Sequence, residues 1–224
     1  DRGNALTEIG RFKEALDSHN KAVALAPNAP QVLTNRGLTF LRLKDYTAAL
    51  RNYDEALKYT PNFPNAWVGR GTVLFELRRN DEALAAFDRA IAMRTEMAEA
   101  WYGRGNVLSD LGRNDEALRS FEKAIALAPG MTMAQGGRGS VLAKMKRHDE
   151  ALAVFDYAIS MKPDLAGLWS ARGNALLDLR RYDEALSAYE KASALQPDVA
   201  ESRFSESFIR LLQGDTERGW KGYE

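Results

Sequence analysis

Apolar and small residues recur along this chain at helical spacing, in two short runs that come back every 34 residues. Between 98 and 131 the first run is Trp101, Gly105, Leu108 and Leu111; the second is Ala117, Leu118, Phe121, Ala124 and Ile125. Steps of three and four place each run on one face of an amphipathic helix. Gly112, which enters the left-handed conformation without steric penalty, ends the first helix, and Pro129 with Gly130 stops the second. The unit is therefore predicted to be an antiparallel helix pair. Steps of the same length from Arg104 and Gly105 reach Arg70 and Gly71, Arg36 and Gly37, and Arg2 and Gly3 in one direction. In the other they reach Arg138 and Gly139, then Arg172 and Gly173. A fixed period of this size signals stacked supersecondary units, each burying its apolar face on the next.

The period divides the chain into a partial unit at 1–29, complete units at 30–63, 64–97, 98–131, 132–165 and 166–199, and a divergent, truncated unit at 200–224. No linker or change of composition separates them, so 1–224 reads as one elongated domain. The first unit is expected to hold a partial helix to about Ile9 and a full one from about Phe12 to Ala26. Gly105, Ala117 and Ala124 let helix backbones approach, while Leu108, Leu118 and Phe121 fill the space between them; burying each large one contributes about 1.5–3 kcal/mol. In the last unit Glu206 and Ser207 stand where six units carry Arg-Gly.

The Trp, Gly, Ala, aromatic, Ala, Pro pattern resembles the tetratricopeptide repeat. It is met by Trp101, Gly105, Ala117, Phe121, Ala124 and Pro129, and again by Trp169, Gly173, Ala185, Tyr189, Ala192 and Pro197. The resemblance implies an all-α fold of about six and a half repeats, a right-handed superhelical solenoid of antiparallel helix pairs whose first helices line a concave groove. It also implies a protein or peptide ligand there. The groove residues are then Asn4, Leu38, Thr72, Asn106, Ser140, Asn174 and Phe208, one place beyond each unit's glycine or Ser207, joined by Thr34, Val68, Tyr102, Ser170 and Phe204. Phe75, Ser109, Leu41 and Leu177 lie further along the same helices. An asparagine carries both a donor and an acceptor, so a row of them can pair with a peptide backbone of any sequence. The repeats of O-GlcNAc transferases, which these resemble, carry such a row; here three of the seven places are asparagine. The stretch from Leu211 to Glu224 also looks like the junction at which bacterial tetratricopeptide repeats run into a glycosyltransferase-like domain. Two functions follow: a non-catalytic scaffold holding an extended protein segment, or the substrate-recruiting arm of a larger glycosyltransferase.

Composition narrows the choice. With 31 basic and 31 acidic side chains the formal net charge is zero, without the basic excess that neutralising phosphates requires, so no nucleic-acid partner is expected. There is no cysteine, hence no disulfide, thiolate ligand or cysteine nucleophile. The two histidines, His19 and His148, lie in different units, and His19 fills the slot of Tyr53, Phe87, Phe121, Phe155 and Tyr189 as a packing residue. No metal, cofactor or catalytic set is expected, no apolar run is long enough to span a bilayer, and a cytoplasmic placement is the expectation.

Two charge patterns need an account. Arg79, Arg113, Arg147 and Arg181 precede acidic pairs that open the second helices; the acids complement the helix dipole, and the arginines read either as structural charges interleaved with them or as a basic ridge along one edge. The arginine before each glycine either buries its stem and meets a carboxylate or carbonyl of an adjacent helix, or forms a ladder of donors for a ligand. Gln135, Gly136, Gly137 and Gly139 make the first helix of 132–165 weak by composition, which reads as a flexible point or as room for something pressed against the groove. Apolar side chains at the two ends, Leu6 and Ile9, then Phe208, Leu212 and Trp220, with Tyr223 beyond, predict end-to-end self-association.

Overall fold

The computed structural model describes residues 2–197, 200–212 and 214–221. Its described residues form helices and no strand: α1 (Arg2–Glu8), α2 (Phe12–Leu25), α3 (Pro30–Arg42), α4 (Tyr46–Tyr59), α5 (Pro64–Glu76), α6 (Asn80–Met93), α7 (Ala98–Asp110) and α8 (Asn114–Leu127), which make up one compact unit, Asp1–Leu127. A second compact unit, Ala128–Glu224, holds α9 (Thr132–Lys144), α10 (His148–Met161), α11 (Ala166–Asp178), α12 (Tyr182–Leu195), α13 (Ala200–Leu212) and α14 (Thr216–Lys221). In each unit a first helix pairs with the second helix after it, and neighbouring first helices also touch: α1 with α3, α3 with α5, α5 with α7, and α9 with α11.

The turn inside each hairpin is built the same way. After α3, the Lys44 amide donates to Leu41 O and the Asp45 amide to Phe40 O, both at 2.9 Å, which satisfies the carbonyls left open at the helix end. This requires a left-handed residue between the helices. Gly112 supplies it at φ 73°, as its place in the sequence predicts, but Lys44, Arg78, Lys146 and Arg180 take the same conformation at φ 58–62°. A side chain there costs roughly 1–2 kcal/mol, part of which a glycine gives back by loosening the unfolded chain. Arg78 offsets some of it by pairing with Asp110 of the next hairpin at 2.7 Å. Arg180 forms no ion pair among the described residues. Arg180→Gly is accordingly expected to raise the urea midpoint by the equivalent of about 0.5–1 kcal/mol, and Arg78→Gly by less.

Packing follows one rule in every complete hairpin. The aromatic residue of the second helix lies against the glycine of the first: Tyr53, Phe87, Phe121, Phe155 and Tyr189 are all at most 2% exposed. Alanines on either side of it, Ala117 and Ala124 among them, are wholly buried and leave room for backbones to meet. Leu33, Leu74, Leu108, Leu142 and Leu176 close the interior.

His19 occupies this slot in the first hairpin and is buried at 5%, its ring against Gly3. Burial, with neighbouring positive charge that includes Arg36, pushes its pKa below the ordinary 6.5. Between the folded and unfolded pKa values the unfolded chain then binds more protons, so His19's contribution is complete above about 6.5 and is lost as pH falls below it. Hydrogen-exchange protection in α1–α3, taken relative to the intrinsic exchange rate at each pH, should fall on acidification from about pH 7 to 5, and His19→Phe should remove that loss.

Candidate functional site

The first helices bury Leu74, Leu108, Leu142 and Leu176 on one side. On another side stand the residues one place past each glycine. Asn4, Thr72, Asn106 and Ser140 are half-buried, and Leu38, Asn174 and Phe208 are exposed. Val68, Tyr102, Ser170, Phe75, Ser109 and Leu177 are half-buried and Phe204 is exposed. Thr34 differs: at 8% exposed its hydroxyl is closed off and meets no partner among the described residues. Val68 and Phe75 also pack on the buried cluster around Leu74, Phe87 and Val107, so each serves the core with one edge. The Tyr102 ring leans on Phe121, with centroids 6.1 Å apart.

Asn4 and Leu38 come together in a cavity of about 420 Å³, lined also by Thr7, Glu8, Gly10, Phe12 and Arg42. Below them the Thr7 and Thr39 hydroxyls share a 2.8 Å hydrogen bond that joins α1 to α3. Thr39 stands where Val73, Val107 and Val141 are found in other units, and that change of type was the signal available in the sequence. Two acids beside this face are engaged from the preceding hairpin: Glu76 accepts from the Tyr46 hydroxyl at 3.3 Å, and Asp110 is held by Arg78.

The arginines before the glycines turn away from a ligand ladder. Arg70 pairs with Asp54, Arg104 with Asp88 and Arg172 with Asp156, each at 2.7 Å, and each arginine side chain is only 20–22% exposed. Arg36 reaches Asn52 at 2.7 Å and Asn20 at 3.2 Å. In every charged pair the first helix of one hairpin is fastened to the second helix of the hairpin before it. Arg210 does this where the arginine is missing, meeting Glu190 at 2.7 Å and Glu206, the residue in the arginine's place, at 2.9 Å. The arginines heading the second helices pair with the glutamate three residues on: Arg79 with Glu82, Arg113 with Glu116, Arg147 with Glu150 and Arg181 with Glu184. The guanidinium hydrogen bond holds each of these glutamates below the usual carboxylate range.

Tryptophan has a role that its place in the pattern did not disclose. The indole N–H of Trp67, Trp101 and Trp169 donates to the carbonyl six residues earlier, of Pro61, Thr95 and Pro163, at 2.8–2.9 Å, and so ties down the loop between hairpins. In α9 the same place holds Gln135, buried at 7%. The room left by Gly136 is taken from within the fold, since a Cβ there would come 3.0 Å from Leu168 of α11. At the ends, Ile9, Phe208 and Trp220 are exposed. Leu6 is buried, correcting the expectation that it lies bare, because it holds the place of Leu74 and Leu108 on the inner side of its helix. The Leu212 side chain and Tyr223 fall outside the described residues. Among the described residues no cluster of three His, Asp or Glu forms a metal site, and no helix is long and apolar enough to cross a membrane.

Stacked helix hairpins presenting a row of accessible side chains from consecutive first helices define a repeat scaffold for protein–protein interaction. The tetratricopeptide repeat model matches residues 34–98, 69–113 and 102–166; a second model of that description matches 166–199, and one described as a TPR repeat matches 3–44. The chain belongs to the tetratricopeptide repeat family. It is similar to the E3 ubiquitin-protein ligase CHIP of Arabidopsis thaliana, 42% identical over 45 residues that cover 20% of this chain and 16% of that protein. Among solved structures it superposes on the APC/C hetero-tetramer Cut9–Hcn1 with a TM-score of 0.87 at 20% identity, covering 97% of this chain and 43% of the other. YrrB, described as a TPR protein with an unusual peptide-binding site, matches with a TM-score of 0.62 at 25% identity, over 84% of this chain and 96% of that one. The chain thus spans less than half the length of both CHIP and the Cut9–Hcn1 chain.

Proposed function

We propose that this chain is a non-catalytic scaffold that holds a peptide or an extended protein segment along the face of its first helices. The observation that carries this is the row itself. Leu38, Thr72 and Asn106 stand on consecutive first helices that touch one another, are open or half-open to solvent, and are joined by the half-open Tyr102. The arginines before the glycines and the acids Glu76 and Asp110 are engaged within the fold, which leaves a mixed surface of apolar and polar side chains, with Glu8 and Arg42 beside Asn4 and Leu38, suited to an amphipathic segment. YrrB, described as having an unusual peptide-binding site, supports peptide binding by this architecture in general. A dodecapeptide selected from a phage-displayed random library on the wild-type chain provides the probe. Replacing Tyr102 and Asn106 together with alanine is expected to weaken it by about tenfold or more, while Lys58→Ala, on the exposed end of α4, leaves it unchanged. Equal affinity for all three proteins would overturn the assignment.

A second reading rests on the closing stretch. Its likeness to the junction before a bacterial glycosyltransferase-like domain supports a role for this scaffold in delivering a protein substrate to a catalytic domain on the same polypeptide.

A further inference from the structure

Trp67 carries more than the other tryptophans of the pattern. Its indole N–H is fixed on Pro61 O, and two guanidinium carbons lie over its ring, Arg89 at 4.7 Å and Arg70 at 5.7 Å. Trp101 has Arg104 alone, at 5.9 Å. The difference is Arg89, since the corresponding places of other units hold Lys21, Glu55, Lys123, Tyr157 and Lys191. Both arginines line a cavity of about 360 Å³ with walls from α4, α5 and α6 and an apolar side made by Leu57, Ala85 and Ala86. It lies within one compact unit, and no residue of the first-helix row lines it.

The two carboxylates of the lining are already engaged. Asp54 accepts from Arg70 Nε at 2.7 Å, and Glu82 is gripped through both oxygens by Arg79 at 2.7 and 2.8 Å. Arg89 is exposed and forms no ion pair or hydrogen bond among the described residues, so one positive charge in the lining stands without a counter-charge. Arg70 also has donors to spare. In the next hairpin Arg104 Nη1 donates to Ser120 Oγ at 2.8 Å, but the place of Ser120 is taken here by Ala86, and Arg70 donates through Nε alone among the described residues. A guanidinium over an indole is weakly hydrated and held in place, and its planar edge matches a carboxylate through paired N–H bonds. One unbalanced charge calls for one carboxylate, and Leu57 with Ala85 offers a wall for the methylenes that carry it.

We infer that Arg89 and Arg70, held over the Trp67 indole, form a second binding site, separate from the first-helix row, that takes the glutamate side chain of an acidic segment on a partner protein. The site depends on Arg89 for the unbalanced charge and on Ala86 for leaving the Arg70 Nη donors unclaimed.

The test follows the Arg89 Nε–H and Trp67 indole N–H signals by NMR while the blocked tripeptide acetyl-Ala-Glu-Ala-amide is added to the full chain. A saturable shift of both is expected, about tenfold or more weaker for the neutral acetyl-Ala-Gln-Ala-amide. Followed on the indole signal, Arg89→Gln should weaken binding about tenfold or more and Arg89→Lys about threefold, because a lysine keeps the charge and loses the planar fork. Ala86→Ser recreates the Ser120 arrangement without changing any charge, and by occupying Arg70 it should weaken binding about threefold. Thermal midpoints establish that each variant is folded. Equal shifts with the glutamate and glutamine peptides, or unaltered affinity in Arg89→Gln, would overturn the inference, and unaltered affinity in Ala86→Ser would remove Arg70 from it. Inorganic phosphate, or acetyl-trialanine with a free C-terminal carboxylate, binding as tightly as the glutamate peptide would overturn the assignment to a glutamate side chain.

Discussion

Phe87→Ala is expected to lower stability by about 3–5 kcal/mol, the loss typical of deleting a fully buried ring. Phe87 is 2% exposed and sits between two hairpins. On one side an added Cβ at Gly71 of its own hairpin would stand 3.0 Å from the ring; on the other, a Cβ at Gly103 of the next hairpin would overlap it. Ala83, Ala86, Leu74 and Val107 complete the cluster. Truncation therefore opens a cavity shared by α5, α6 and α7, whose backbones are already held close by glycine and alanine and have little freedom to collapse into it. In a stack whose stability is a sum of hairpin and interface contributions, one substitution weakens two neighbouring terms. Urea denaturation gives the magnitude, and hydrogen exchange should show protection lost mainly in α5–α7. Leu25→Ala, at a side chain 88% exposed, should change stability by less than about 0.5 kcal/mol. A loss below about 1 kcal/mol for Phe87→Ala would mean that the ring is not the joint between hairpins.

The second large effect is a difference between two identical substitutions. Gly139 and Gly167 both lie in first helices, α9 and α11, and alanine is the better helix former by up to about 1 kcal/mol in a helix interior. Gly167→Ala meets nothing within 4 Å and should stabilise by about 0.5 kcal/mol, being in the first turn. At Gly139 the new Cβ would stand 2.6 Å from Phe155 Cε1 and 2.9 Å from two further ring atoms, and Phe155 is wholly buried with no space to retreat. Overpacking outweighs propensity there, for a net loss of about 1–2 kcal/mol. The two variants should therefore move the denaturation midpoint in opposite directions, about 2 kcal/mol apart. A shift of the same sign in both would show that local helix propensity, not hairpin contact, governs these glycines.

The fold was legible because hairpin packing imposes the same steric demands in each turn of the pattern. Gly105 facing Phe121 and Gly139 facing Phe155 are one local contact written repeatedly, so recurrence at a fixed period stands in for three-dimensional information. The arginine before each glycine was half legible. Its recurrence singled it out and left two readings, a paired arginine or a donor ladder, but its partner, Asp54 for Arg70 or Asp88 for Arg104, lies 16 residues back on another helix, and only stacking brings the two within 2.7 Å. The left-handed Lys44, Arg78, Lys146 and Arg180 were hidden for a related reason. The turn's hydrogen bonds demand that conformation whatever residue stands there, so glycine at 112 was a sufficient signal and not a necessary one.

The candidate face divides along the same line. The family resemblance named Asn4, Thr72, Asn106 and Asn174 as facing a groove, and helical periodicity, a property of the chain one turn at a time, keeps them off the buried side of their helices. What each of them can offer depends on partners in other elements: the Tyr189 hydroxyl from α12 donates to Asn174 Oδ1, and Thr34 is closed off by its surroundings. The order of residues thus determined the family and the hairpins, since both are set by contacts within about one repeat length. The partners of the face's side chains, and the use of arginine as a fastener between hairpins, were decided only by tertiary structure, because a hydrogen bond depends on both of its ends.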